Sequence, residues 1–119
     1  MPTKNINGFH ILADFCGCKK VNILKYANSL EKALRMASKK AGFKVVGSVK
    51  HQFKPFGATV VLLLSTSHFS AHSWPEENGF VAIDIYSCSG RRTAEKAFKE
   101  CINILEPEKI EIKKIERYK

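Results

Sequence analysis

Ala58-Thr59-Val60-Val61-Leu62-Leu63-Leu64 is the most continuously apolar and β-branched run in the chain, and it stops abruptly at Ser65-Thr66-Ser67. The loop Lys54-Pro55-Phe56-Gly57 bounds it on the other side. A run this short, framed by turn residues and rich in Val and Leu, reads as a central, well-buried strand. Working backwards, Phe43 to Phe53 reads as a second strand, with Val45, Gly47 and Val49 alternating against Val46, Ser48 and Lys50. Working forwards, Phe80 to Tyr86 is a third, in which Asp84 is the sole charge. Phe9 to Phe15 is a fourth, closed by a turn at Cys16-Gly17-Cys18.

Between these lie two segments of helical period. In Ser29 to Ala37, Leu30, Ala33, Leu34 and Ala37 share a face, and Gly42 is placed as the stop. In Arg91 to Leu105, Ala94, Ala97, Phe98, Cys101, Ile102 and Leu105 form a stripe, followed by Pro107. Ile110, Ile112 and Ile115 then belong to a last strand with a lysine-rich outer face. The expected fold is α+β: a two-layer sandwich, its largely antiparallel sheet carrying two main helices on one face. The 119 residues make one domain.

Composition narrows the function classes. With 45% hydrophobic residues the chain can bury a core, yet a domain this small leaves much apolar surface exposed, which favours self-association. No apolar run approaches the roughly 20 residues of a membrane helix. Met1-Pro2-Thr3-Lys4-Asn5 leads into no signal-peptide core, so a cytoplasmic protein with four reduced cysteines is expected. The net charge of +9 comes from 20 basic and 11 acidic side chains. They are scattered through Lys19-Lys20, Lys39-Lys40, Arg91-Arg92 and Lys113-Lys114, with no basic-aromatic repeat. Solvated faces account for them, and nucleic acid is not the expected partner.

The chemistry-bearing residues follow directly on the apolar strand, in Ser65-Thr66-Ser67-His68-Phe69-Ser70-Ala71-His72-Ser73-Trp74-Pro75-Glu76. Polar groups entering a core must find partners, so this cluster is either a polar turn leaving the sheet or a site. His68 and His72 have the spacing of helical metal ligands, but the segment is flanked by strands. Cys16 and Cys18 lack a second pair, so no metal is expected. No Gly-x-Ser-x-Gly turn exists for a serine hydrolase. Cys88, between Ser87 and Ser89, reads either as a reactive thiol or as a small buried hydrophobe.

Taken in order, Thr66-Ser67-His68, His72-Ser73-Trp74-Pro75-Glu76, Ala82-Ile83-Asp84 and Cys88 resemble the prokaryotic S-adenosylmethionine decarboxylase family. Gly8-x-His10, Gly17-Cys18 and Phe53-x-Pro55-x-Gly57 extend the likeness over nearly the whole chain. The family reads Glu-Ser-His, three residues, His-Thr-Trp-Pro-Glu, and later a strand ending in Thr-Cys-Gly.

The resemblance implies a proenzyme that cuts itself between Thr66 and Ser67, into residues 1–66 (the beta chain) and 67–119 (the alpha chain). Ser67 becomes a pyruvoyl group, which forms a Schiff base with the substrate amine and serves as electron sink. His72 matches the processing base and Cys88 the proton donor. Phe53, Glu76 and Asp14 are the implied substrate contacts, and Thr59 stands where a serine supports processing. The implied reaction is decarboxylation of S-adenosylmethionine, giving the aminopropyl donor for spermidine, by a homodimer with active sites at or near its interface. Relatives acting on ornithine or arginine, and an uncleaved pseudoenzyme or binding module, are the alternatives.

Three departures stand out. Thr66 replaces Glu before the serine, Thr59 replaces Ser, and Glu77-Asn78-Gly79 is one residue longer than usual. That last change is expected to bear on the substrate pocket.

Overall fold

Between residues 8 and 117, the span that the computed structural model describes, period-two and helical segments alternate as β1 (Gly8–Cys16), α1 (Val21–Lys25), α2 (Ala27–Ala41), β2 (Val45–Gln52), β3 (Ala58–Leu64), β4 (His68–Trp74), β5 (Phe80–Ser87), α3 (Arg91–Leu105) and β6 (Lys109–Arg117). The opening Met1-Pro2-Thr3-Lys4-Asn5 lies outside the described residues. Among these, no helix is long and apolar enough to cross a membrane.

The strands form one six-stranded sheet in the order β2-β3-β4-β5-β1-β6, every neighbouring pair antiparallel. Helix α2 lies over β2, β3 and β4, helix α3 over β1 and β5, and the two helices pack on each other. This is the two-layer α+β sandwich expected.

The helical stripes supply one half of the core. Leu30, Ala33, Leu34 and Ala37 of α2 are buried, as are Ala94, Ala97, Cys101 and Leu105 of α3. The sheet answers with Ile11 and Phe15, Val60 and Leu62, Phe69, Val81, Ile83 and Ile85. Each large side chain among them contributes about 1.5–3 kcal/mol by leaving water. Gly42 ends α2 in the left-handed region (φ 97°), and its N–H returns to the carbonyls of the last turn, as a C-terminal glycine should.

Four local expectations need correction. The serine- and histidine-rich segment is neither a turn nor a helix: it is strand β4, with Phe69, Ala71 and Ser73 inward and His68, Ser70, His72 and Trp74 outward. Strand β3 is inside the sheet but buried on one face only, because no layer covers the other; Leu63 is 58% and Val61 37% exposed. A bulge between Val45 and Gly47 reverses the faces of β2. Val45 packs against the core while Val49 is 68% exposed. Finally, Val21–Lys25, left unassigned by the sequence pattern, is the short helix α1.

The helix-free face of the sheet therefore displays a mixed surface. Leu12, Val61, Leu63 and Trp74 share it with all four histidines, His10, His51, His68 and His72.

One tie between the layers is electrostatic. Glu31 of α2 accepts hydrogen bonds from Ser48 (2.6 Å) and Lys50 (2.9 Å) on the edge strand β2, and from Arg35 (3.3 Å). The Ser48 hydroxyl, and then Lys50, hold its carboxyl at about 2, against 4.5 ordinarily. A depressed acid stabilises the fold above its unfolded value and loses that contribution as pH falls through the folded one. Urea midpoints of the wild type should accordingly fall between pH 4.5 and about 2 more steeply than those of Glu31→Gln. Partial solvent exposure limits the difference at neutral pH to about 1–3 kcal/mol.

Candidate active site

Ser65, Thr66 and Ser67 join strands β3 and β4. Leu64 and Ser67 exchange backbone hydrogen bonds (Leu64 N–H to Ser67 O, 2.9 Å; Ser67 N–H to Leu64 O, 3.4 Å), which closes a two-residue hairpin loop. The Ser65 N–H is further tied to Lys44 O at 2.9 Å. The Thr66–Ser67 peptide thus sits at the exit of a fixed turn. Thr66 is exposed, and Ser67 turns inward and is buried.

Inside, Ser67 Oγ accepts the backbone N–H of Cys88 at 2.9 Å and lies 3.1 Å from Thr66 Oγ1. Thr66 Oγ1 is also 3.5 Å from Ser89 Oγ. The hydroxyl of Thr66 therefore joins the serine cluster directly. Cys88 follows β5, which pairs with β4, so the sheet itself brings a thiol to the hairpin. That thiol is exposed, unlike Cys18 and Cys101. Burial pushes the Cys18 thiol up to about 11 and the Cys101 thiol up as well, which suits inert core cysteines. All four cysteines are free.

A second cluster lies at the far end of β4. His72 Nδ1 is 2.8 Å from Thr59 Oγ1, its cross-strand neighbour on β3. Phe53 tilts against His72 with ring centroids 5.3 Å apart, and the Trp74 ring lies 4.0 Å from the imidazole. Phe53, Phe56, His72 and Trp74, with Lys54 and Glu76, line a cavity of about 430 Å³. The loop that forms its wall is clamped by Gln52, whose Nε2 donates to the carbonyls of Lys25, Phe53 and Gly57. Ser73 anchors the floor: its buried hydroxyl donates to Leu24 O (2.7 Å) and accepts from the Ala58 N–H (3.0 Å). Neither structural role was visible in the sequence, because Gln52 and Ser73 act through backbone groups that only the fold brings within reach.

Within one chain the structure joins Thr66, Ser67 and Cys88, and separately Thr59, His72, Phe53 and Glu76. It does not bring the two groups together. His72 stands five residues beyond Ser67 on an extended strand, about 16 Å at 3.3 Å per residue. Asp14 belongs to neither: on β1 it is exposed, opposite Ala82 and Glu111. The longer link Glu77-Asn78-Gly79 also departs from expectation. It packs on the Gly17-Cys18 turn, through Gly17 N–H to Asn78 O (2.7 Å) and Cys18 N–H to Gly79 O (3.2 Å). Only Glu76 of this region reaches the cavity wall, so the insertion is absorbed at the first turn.

Comparison with known proteins agrees with this fold over almost all of its length. Residues 9–118 match the family model described as S-adenosylmethionine decarboxylase. An S-adenosylmethionine decarboxylase proenzyme of Persephonella marina is 41% identical over 110 residues, covering 92% of this chain and 81% of the relative. One from a Sulfurihydrogenibium species is 42% identical over the same shares. The crystal structure of the adenosylmethionine decarboxylase from Aquifex aeolicus superposes with a TM-score of 0.87 at 34% identity, covering 94% of this chain and 91% of that one. Fold and sequence thus define a protein of the decarboxylase proenzyme class. The chain belongs to the S-adenosylmethionine decarboxylase family.

Proposed function

We propose that this chain is a self-processing decarboxylase that converts S-adenosylmethionine into the aminopropyl donor for spermidine synthesis in the cytoplasm. The observation that carries the reading is Ser67, held at the exit of a tight hairpin with its hydroxyl against the N–H of Cys88. In maturation, Ser67 Oγ attacks the Thr66 carbonyl carbon and the C–N bond breaks, leaving an ester and a free amine at residue 67. A base removes the Ser67 Cα proton and the Thr66 carboxylate departs. Water then displaces ammonia from the resulting enamine, and residue 67 ends as a pyruvoyl group at the head of fragment 67–119, still held in the sheet by β4 and β5 pairing. His72 is assigned as the base: with Nδ1–H donated to Thr59, its Nε2 is free to take the proton.

The residues around Ser67 fit such a group, since the Cys88 N–H and the Thr66 side chain would hold its oxygens. When present, it supplies an electron sink for the carbon that loses carbon dioxide. Cys88, the exposed thiol beside it, returns a proton to that carbon. The Phe53–Phe56–Trp74 cavity supplies flat aromatic faces for a purine and a sulfonium cation, and Glu76 a carboxylate at its rim. Ornithine and arginine offer no flat ring for that wall. Asp14 is kept as a peripheral contact only.

The separation of the two clusters on β4 supports a homodimer as the working assembly. The helix-free face displays Val61, Leu63 and Trp74 to solvent, an apolar surface that a second copy would cover. In such a dimer the His72–Thr59 pair of one copy would complete the site around Ser67 of the other.

Intact mass under denaturing conditions tests the reading. The expected result is two fragments split after Thr66, the second blocked at its N-terminus. Carbon dioxide should then be released from S-adenosylmethionine and not from ornithine or arginine. An uncut chain would overturn the mechanism; release from ornithine or arginine instead would overturn the substrate.

A further inference from the structure

The aromatic wall of the cavity stands on a loop, Phe53 to Gly57, that its own side chains do not anchor. Phe53 is 37% and Phe56 43% exposed, so neither ring is fixed by burial in the core. What fixes them is backbone, and Gln52, the last residue of β2, ties that backbone to the junction of α1 and α2. Its Oε1 accepts the Ala27 N–H at 2.6 Å, and its Nε2 lies 2.9 Å from Lys25 O. The same Nε2 lies 2.9 Å from Phe53 O and 3.0 Å from Gly57 O. A primary amide carries two hydrogens, so one of them is shared between two carbonyls. Gln52 thus holds two backbone points on the helical junction and two on the loop, one at each end.

Neighbouring contacts follow the same line. Gly57 N–H donates to Lys25 O at 2.9 Å, and Phe53 N–H to Gly57 O at 2.8 Å. Tyr26, between the two gripped residues of the junction, meets Phe56 edge-on with centroids 5.8 Å apart, and the Lys25 ammonium lies 5.0 Å from the Phe56 centroid. Gln52 is itself exposed, and water would satisfy an exposed amide equally well. Its four protein contacts are therefore not a demand of burial; their common effect is to hold the loop.

We infer that Gln52 is a positioning residue for substrate: by fixing both ends of the loop to the α1–α2 junction, it presents Phe53 and Phe56 to a flat-ringed substrate in one pose. The inference rests on the reading of the cavity as the substrate's site. A loop free to move must be ordered when its ligand arrives, and that ordering weakens binding; a loop already held avoids the cost. The short helix α1 gains a purpose by the same account, as the support to which the wall is fastened.

The test replaces Gln52 in two ways. Gln52→Met keeps the length and removes both polar atoms, while Gln52→Glu keeps an acceptor for Ala27 and turns an oxygen toward the three carbonyls. Because the side chain is exposed, urea midpoints of both should match the wild type closely. In the matured protein KM for S-adenosylmethionine should rise roughly three- to tenfold, the scale of a lost neutral hydrogen bond or two. The kcat should stay within about twofold, and Gln52→Glu should be impaired at least as much as Gln52→Met. A readout that needs no maturation is quenching of Trp74, the chain's single tryptophan, by S-adenosylmethionine in the uncut Ser67→Ala chain. There the Kd should rise by the same factor. Without substrate, hydrogen exchange at the Phe53 and Gly57 amides should quicken about threefold or more. Unchanged exchange, KM and Kd in Gln52→Met would overturn the inference. So would wild-type KM in Gln52→Glu, since the Ala27 contact alone would then suffice, or a fall in kcat at unchanged KM. Faster exchange with KM and Kd unaffected, in Gln52→Met and Phe56→Ala alike, would instead remove the cavity as the substrate's site, and the inference with it, while leaving the tie between loop and junction intact.

Discussion

Ser67→Ala yields one full-length chain with no carbonyl at residue 67 and no decarboxylation. The expectation is nearly absolute because two roles fall together. Alanine has no oxygen to attack the Thr66 carbonyl, so the peptide survives; without that break, no electron sink forms, and the protein's other residues cannot replace it. Activity should drop below about a thousandth of wild type, the scale on which loss of a covalent catalyst is felt. The fold should survive. What the substitution removes inside the protein is one acceptor for the Cys88 N–H and one contact with Thr66, about 1–3 kcal/mol at most. Circular dichroism and thermal unfolding should therefore resemble those of the wild type. Decarboxylation that persists in an uncut Ser67→Ala chain would sink the whole mechanism, whatever the fold.

Much of this architecture was legible from residue order. Periodicity fixed α2 and α3 because a helix on a sheet needs a continuous apolar stripe, and Leu30–Ala37 and Ala94–Leu105 supply one each. Strand β4 was misread for the converse reason. Its outward positions are polar and aromatic, and its inward ones are Phe69, Ala71 and Ser73, too few and too mixed to advertise a buried face. The period-two alternation was present, but the density of serine and histidine resembled a turn. Similarly, one bulged residue after Val45 reverses the faces of the rest of β2, and nothing in Val45-Val46-Gly47-Ser48 distinguishes a bulge from a regular strand. Conflict between local pattern and final fold collects where function sits.

The candidate site could be nominated as a set of residues but not as a geometry. Motif order nominated Ser67, His72 and Cys88, and gave no hint that His72 and Ser67 stand at opposite ends of one strand. Five positions in an extended chain separate them by about 16 Å, whereas a helix would have folded them within one another's reach. Only the knowledge that β4 is a strand turns a compact motif into two half-sites.

That separation makes the second large effect specific to the assembly. His72→Ala should block maturation: without a base for the Ser67 Cα proton, loss of about 10²–10⁴-fold in cleavage rate is expected. If both half-sites had to come from one chain, His72→Ala and Ser67→Ala could never help each other. Across a two-fold interface they can. Co-expressed with different tags, the two variants form mixed dimers in which the Ser67→Ala chain contributes its intact His72 and Thr59 to Ser67 of its companion. In those dimers the His72→Ala chain should be cut after Thr66, while the Ser67→Ala chain stays whole. Mass analysis of dimers captured through both tags reads this directly, and His72→Ala expressed alone serves as the uncut control. Leu63→Glu, placed on the exposed apolar face of β3, should abolish the rescue by separating the copies. Cleavage of the His72→Ala chain only in mixed dimers would establish that each active site is built from two chains. Mixed dimers that form yet remain uncut would mean that His72 acts on its own chain or not at all, and the shared-site assembly would have to be abandoned.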